Sequence, residues 1–233
     1  MPRPEDNKLL NALPQTCKDR IFPLLKLTNL PLGKVVYEAG QKVANVYFPT
    51  DSIISLLSMM ENGASTEISV VGNEGLVGIA VFMGGESTPN RAIVQSEGTA
   101  FSLPASVIKQ EFNNDVAVRV LLLRFTQALM AQMAQTAVCN RHHSIEQQLC
   151  RWLLLSIDRL STNNLIMTQE LIANMLGVRR EGVTEAAGKL QKQHVITYKR
   201  GHITVIDRKK LEEMCCECYI VVKNETNRLG LFG

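Results

Sequence analysis

The segment from Thr168 to Leu190 constrains this chain most, because it reads as two short helices around one tight turn. Leu171, Ile172, Met175 and Leu176 recur at helical spacing. Thr168 is placed to cap the first helix, Glu170 lies in its first turn, and Gly177 can supply the left-handed backbone angle of the turn. Val178 and Val183 then face inward, which leaves Arg179, Arg180, Glu181, Thr184 and Lys189 outward. Such a leading edge suits base edges and phosphates in a DNA major groove.

The residues that follow extend the same reading. Val195-Ile196-Thr197-Tyr198 and Ile203-Thr204-Val205-Ile206 are short β-branched runs around the basic turn Lys199-Arg200-Gly201-His202. This predicts a wing whose tip presents Lys199, Arg200 and His202 to the phosphates beside the groove. Thr168 and Gln169, at the entrance of the first helix, complete the expected DNA-contacting set.

The order Thr-Gln-Glu, Leu-Gly-Val-x-Arg-Glu, Val-Ile and the basic hairpin resembles the winged helix-turn-helix of the Crp/Fnr family of bacterial transcription regulators. The run Arg141-His142-His143-Ser144-Ile145-Glu146-Gln147-Gln148-Leu149-Cys150-Arg151-Trp152-Leu153-Leu154 is similar to the helix that opens that domain. Upstream, Leu32-Gly33-Lys34-Val35-Val36-Tyr37-Glu38-Ala39-Gly40 resembles the entry into the family's β-roll sensor domain, which is of the cyclic-nucleotide-binding type. The resemblance implies a sequence-specific regulator that binds an inverted repeat as a homodimer, with double-stranded DNA and RNA polymerase as partners. It also implies that Arg180 and Glu181 read guanine and cytosine. Where such regulators place a further guanine-reading Arg, this chain has Glu185, so its half-site is expected to differ there.

Composition agrees with two domains. A hydrophobic share of 45% over 233 residues is enough for each of two modest units to bury a core. Residues 1–140 carry 11 Lys and Arg against 12 Asp and Glu, whereas residues 141–233 carry 14 against 10, so the surplus behind the net +3 lies in the C-terminal part. That part is the one expected to meet phosphates. The short apolar runs between about Leu30 and Leu103, separated by Gly, Asn, Asp and Pro, predict an antiparallel β-roll. No apolar run is read as long enough and charge-free enough to span a bilayer, and no secretory core is seen at the N-terminus, so a cytoplasmic protein with no membrane partner is expected.

From about Asp115 to Ala137 the chain holds no Pro and no Gly, which predicts one long helix. Leu122, Phe125 and Leu129 form one apolar stripe, and Leu123, Met130 and Ala137 form another. Two apolar faces need two partners, and those expected are the β-roll and the same helix of a second chain. Leu122, Phe125 and Leu129 are taken as the dimerisation stripe. The expected architecture is α+β: a β-roll over residues 1–112, a connecting dimerisation helix over 113–140 and a winged helix-turn-helix over 141–233.

In the family the sensor domain often holds a cyclic nucleotide, whose phosphate needs backbone amides and a guanidinium. The matching places here are Gly72-Asn73-Glu74-Gly75 and Asn90-Arg91-Ala92. Glu74, Asn90 and Arg91 are therefore the candidate effector-binding residues, but Asn90 stands where the phosphate-binding Arg belongs and Arg91 is one residue off. A one-residue shift along a strand sends a side chain to the opposite face, so the effector is expected to be an unidentified small molecule other than cyclic AMP.

Six Cys in a chain of this length read as free thiols. Cys215-Cys216-Glu217-Cys218 matches no standard zinc or iron-sulfur spacing and would need a fourth ligand from elsewhere. Cys139-Asn140-Arg141-His142-His143, with soft and imidazole ligands at helical separation, reads as a buried Cys and a His pair at an interdomain hinge, so no metal or cofactor is expected. The alternative function is a metal- or thiol-responsive sensor using Cys215, Cys216 and Cys218. No phosphate loop, nucleophile elbow or metalloprotease helix is present in the sequence, and no catalytic residue is assigned.

Overall fold

The structure is a computed structural model that describes residues 1–230. Helices α1 (Lys8–Asn11) and α2 (Gln15–Ile21) lead into seven strands: β1 (Lys26–Leu30), β2 (Val35–Tyr37), β3 (Asn45–Pro49), β4 (Ile53–Met59), β5 (Ser65–Val71), β6 (Arg91–Ser96) and β7 (Gly98–Pro104). They form two antiparallel sheets, ordered β1-β7-β3 and β2-β6-β4-β5. This is the expected β-roll. Helix α3 (Ala105–Asn114) closes it, and α4 (Val116–His142) leaves it.

The run Ile53-Ile54-Ser55-Leu56-Leu57 is apolar without alternation because its sheet is covered on both sides. Ile54 and Leu56 join the roll core, whereas Ile53 and Leu57 pack with the C-terminal unit. The pleat sends consecutive residues to opposite faces, and register shifts at Ile53/Ile54 and Leu56/Leu57 interrupt the pairing with the neighbouring strands.

The C-terminal unit comprises α5 (Ile145–Ile157), β8 (Asn164–Ile166), α6 (Gln169–Leu176), α7 (Arg180–Lys192), β9 (Ile196–Lys199), β10 (His202–Val205), α8 (Arg208–Met214) and α9 (Cys218–Arg228). Ser144 separates α4 from α5 and caps the latter, with its side chain accepting from Gln147 N and Gln147 answering the Ser144 amide. The last helix does not stay with this unit. Gln127 donates to Glu225 and Gln135 donates to Cys218 Sγ, so α9 returns antiparallel along α4, and Leu229 reaches the roll core.

Helix α4 begins where Asp115 accepts hydrogen bonds from Ala117 N and Val118 N. Leu122, Phe125 and Leu129, expected to face a second chain, are instead buried in this chain's own core, and Phe125 lies directly over Gly75. The correction is physical: the roll offers a concave apolar surface closed by a side-chain-free glycine, and the aromatic fills it. The open stripe is the other one. Val116, Val120, Leu123, Gln127, Met130, Ala134 and Ala137 recur at alternating fours and threes and are exposed. The view that no stretch could cross a bilayer also needs correction, since α4 is long and apolar enough by length and composition alone. Its apolar residues divide between a face buried in the chain and this narrow seam.

Candidate nucleic-acid interface

The α6-turn-α7 geometry follows from its residues. Thr168 Oγ1 accepts from Leu171 N at 3.2 Å, and Ile172, Ala173, Met175 and Leu176 are buried. Gly177 takes φ 67°, and the amide of Val178 returns to the Ala173 carbonyl at 3.0 Å. A Cβ at Gly177 would lie 2.6 Å from Thr66 Oγ1 of β5, so the turn also rests against the roll. Helix α7 buries Val183, Ala186, Ala187 and Leu190 and turns Arg180, Glu181, Thr184 and Glu185 outward. Its N-cap, Arg179, makes no side-chain capping bond, so no N-cap side chain covers the first turn of the helix.

The wing is a two-residue hairpin. Lys199 pairs with His202 across a turn in which Arg200 (φ 51°) and Gly201 (φ 81°) are both left-handed, the type I′ signature. Strand β8 pairs with the far side of β10 and stiffens it. Thr168, Gln169, Glu170, Arg180, Tyr198 and Arg200 together line a cleft of about 280 Å³ between wing and helices. Thr184 Oγ1 donates to Gln169 Oε1 at 2.8 Å and ties α7 to α6. Lys199 and His202 are exposed at the wing. Lys189 is not part of this group, because its ammonium lies 3.0 Å from Glu185 and 3.8 Å from Glu146 of α5.

Two family models match this chain: a cyclic nucleotide-binding domain over residues 27–115 and a Crp-like helix-turn-helix domain over residues 147–214. The chain belongs to the Crp/Fnr family of transcription regulators. It is 20% identical over 210 residues to the global nitrogen regulator of Nostoc sp. strain PCC 7120, covering 86% of this chain and 93% of that protein. Among solved structures, a Crp/Fnr-family transcriptional regulator from Eubacterium rectale superposes with TM-score 0.70 at 18% identity, covering 90% of this chain and 98% of the other. FixK2 from Bradyrhizobium japonicum gives 0.71 at 15%, covering 82% and 98%.

Within this Crp/Fnr protein the candidate effector residues do not converge. Ala92 and Val94 point into the roll core, whereas Ile93 packs towards the C-terminal unit, and Arg91 shares the face of Ile93. Arg91 is paired there with Glu38 at 3.1 Å. Asn90 is held in a turn by Thr88. Glu74 is consumed elsewhere: its carboxylate receives Arg159 Nε at 2.7 Å and the Gly72 amide at 3.1 Å, with both charged side chains largely buried. Glu74 thus clamps the roll to the end of α5. The expectation that Glu74 serves a nucleotide is not met in this geometry, because its carboxylate is engaged by a buried guanidinium that joins the two units.

Sequence reasoning also missed a meeting of distant residues. Cys139, in the last turn of α4, and His143, its C-cap, come together with Cys216 and Cys218, and their four potential ligand atoms lie within 4.8 Å of one another. The signal was a Cys-x3-His step at helical spacing and a Cys-x-Cys step, each read separately.

Proposed function

We propose that this regulator acts in the cytoplasm as a homodimer on an inverted repeat, paired along the open seam of α4. The observation that carries the reading is the joint exposure of the first turn of α7 and the basic wing tip around one cleft. Both are free to meet a groove and its flanking phosphates. The seam supports pairing: strict four-three spacing is the pattern of a two-stranded helical coil, and an exposed row of Val, Leu and Met gains by leaving water. Two α7 helices would then enter successive major grooves about 34–36 Å apart. A small-molecule signal at the roll would change their spacing through the Glu74–Arg159 clamp and the contact of Gly177 with Thr66.

The test combines light scattering with selection of bound sequences from a random DNA library. A dimer that enriches an inverted repeat supports the reading. A monomer at micromolar concentration, or binding without sequence enrichment, overturns it.

A further inference from the structure

We propose that Cys139, His143, Cys216 and Cys218 form a tetrahedral site for one zinc ion, which fastens the end of α4 to the chain as it leaves the DNA-binding unit. The inference is independent of the DNA reading. It starts from four soft or borderline ligands of a Cys3His set, brought together from two helix ends.

The distances fit a single ion. A zinc ion bonded at about 2.3 Å to sulfur and 2.0–2.1 Å to nitrogen sets tetrahedral S···S edges of roughly 3.7 Å and S···N edges of roughly 3.5 Å. Cys139 Sγ and Cys216 Sγ are 3.6 Å apart, and Cys218 Sγ lies 3.5 Å from His143 Nδ1. The first separation is far too long for a disulfide, whose sulfurs sit about 2.05 Å apart. A cluster of several irons would need its ligand sulfurs spread more widely than 4.8 Å. Magnesium and calcium, which want oxygen, do not suit these ligands.

The surroundings are those of a ligand shell. His143 turns its other nitrogen, Nε2, to Glu217 at 3.3 Å, the carboxylate–imidazole arrangement that orients a metal-bound histidine. Gln135 Nε2 donates to Cys218 Sγ at 3.1 Å. Cys139, Cys216 and Cys218 are buried and pack chiefly on one another, apart from the two main hydrophobic cores. Charge also balances. Three thiolates around Zn²⁺ leave one net negative charge, and the buried Arg151 has Nε and Nη1 without partners while its third nitrogen bonds Thr136, one turn before Cys139. An uncompensated buried guanidinium is costly, and an anionic site nearby relieves it.

Cys139 and His143 end the helix that carries the seam, and Ser144 is the joint to the DNA-binding unit. Cys216 and Cys218 flank the start of α9. An ion at this point would lock the joint and the returning helix together.

The test uses the full chain, purified under reducing conditions from zinc-supplemented cells. Zinc, iron and labile sulfide per chain are measured, followed by Co²⁺ substitution and visible spectroscopy. We expect one zinc per chain and the intense thiolate-to-cobalt and d–d bands of a tetrahedral site. Cys216→Ser and His143→Ala should lose stoichiometric zinc, Glu217→Gln should weaken it by on the order of 10- to 100-fold, and Cys17→Ser should retain it. Circular dichroism checks that each variant is folded, and Cys218→His, which keeps four ligands, should hold the metal if Cys218→Ser does not fold. Absence of zinc with no uptake by reduced protein, unchanged binding in both Cys216→Ser and His143→Ala, or several irons with labile sulfide per chain would each overturn the proposal. A mobility shift on the same samples reads DNA binding separately.

Discussion

Ser55 Oγ lies 2.6 Å from Glu67 Oε2 and has a second acceptor, Gln95 Oε1, at 2.7 Å. One hydroxyl hydrogen cannot serve both oxygens. If Glu67 is protonated the count closes: Glu67 donates to Ser55, Ser55 to Gln95, Gln95 Nε2 to Ser156 at 3.1 Å, and Ser156 to the Trp152 carbonyl at 2.9 Å. The chain of bonds runs from the four-stranded sheet into α5. Burial pushes the Glu67 carboxyl up to about 7, against the lowering pull of Ser55, Arg151 and Arg159.

Glu67 should therefore make stability fall as pH rises. The folded chain binds this proton more tightly than the unfolded chain, so its contribution is fully present below about 4.5 and is lost as pH rises through about 7. The loss is on the order of 3 kcal/mol. Glu67→Gln keeps a donor towards Ser55 without the titration, so its advantage in urea midpoint over the native chain should grow from about pH 5 to about pH 8. Parallel curves for the two proteins would show that Glu67 stays ionised throughout.

The two faces of α4 should separate by mutation. Phe125→Ala opens a hole beside Gly75 in the roll core and should cost about 3–5 kcal/mol of folding stability. Leu123→Asp and Met130→Asp sit on the open seam and should leave each chain folded but monomeric. Denaturation and light scattering distinguish the outcomes. A dimer that survives both seam variants would place the partner elsewhere.

Arg180 and Arg200 border one cleft yet should act differently on DNA. Arg180, in the first turn of α7, is placed for a guanine edge, and Arg180→Ala should cost about 1–3 kcal/mol and relax preference at one base pair. Arg200, at the wing tip, should grip phosphate, so Arg200→Ala should weaken all sequences alike and reduce the salt slope by about one. Quantitative mobility shifts over single-base operator variants and several salt concentrations give both readings. Equal, sequence-independent losses would make Arg180 a phosphate anchor.

Cyclic AMP should not bind productively. Arg91 is paired with Glu38 on the face of β6 opposite Ala92 and Val94, and Glu74 is held by Arg159, so neither candidate is placed to meet a phosphodiester inside the roll. Calorimetric titration should give no saturable heat at micromolar ligand. Tight binding abolished by Arg91→Ala would mean that the end of β6 rearranges around the nucleotide.

The helix-turn-helix was legible because its signals are local: a Thr cap, a left-handed glycine and apolar residues at helical spacing all lie within Thr168–Leu190. The long helix was legible for the same reason, down to its two stripes. Which stripe faced which partner was not, because periodicity fixes an angle around a helix without saying what surface waits there. Leu122, Phe125 and Leu129 were misassigned on that account. The Glu74–Arg159 clamp spans 85 residues and the Cys139–Cys216 approach spans 77, and no local pattern announces a pairing across such distances.

At Gly177 a single absent carbon answers two unrelated demands, a left-handed backbone and clearance for Thr66. Asn at this position would tolerate the angle but collide with the strand, and trimming Thr66 would relieve the collision but leave an alanine strained. A suppressor of any substitution here must come as a matched pair. The junction between roll and reader is thus closed to one-step drift, and sequences that change the docking of the two units must cross that barrier together or keep the glycine.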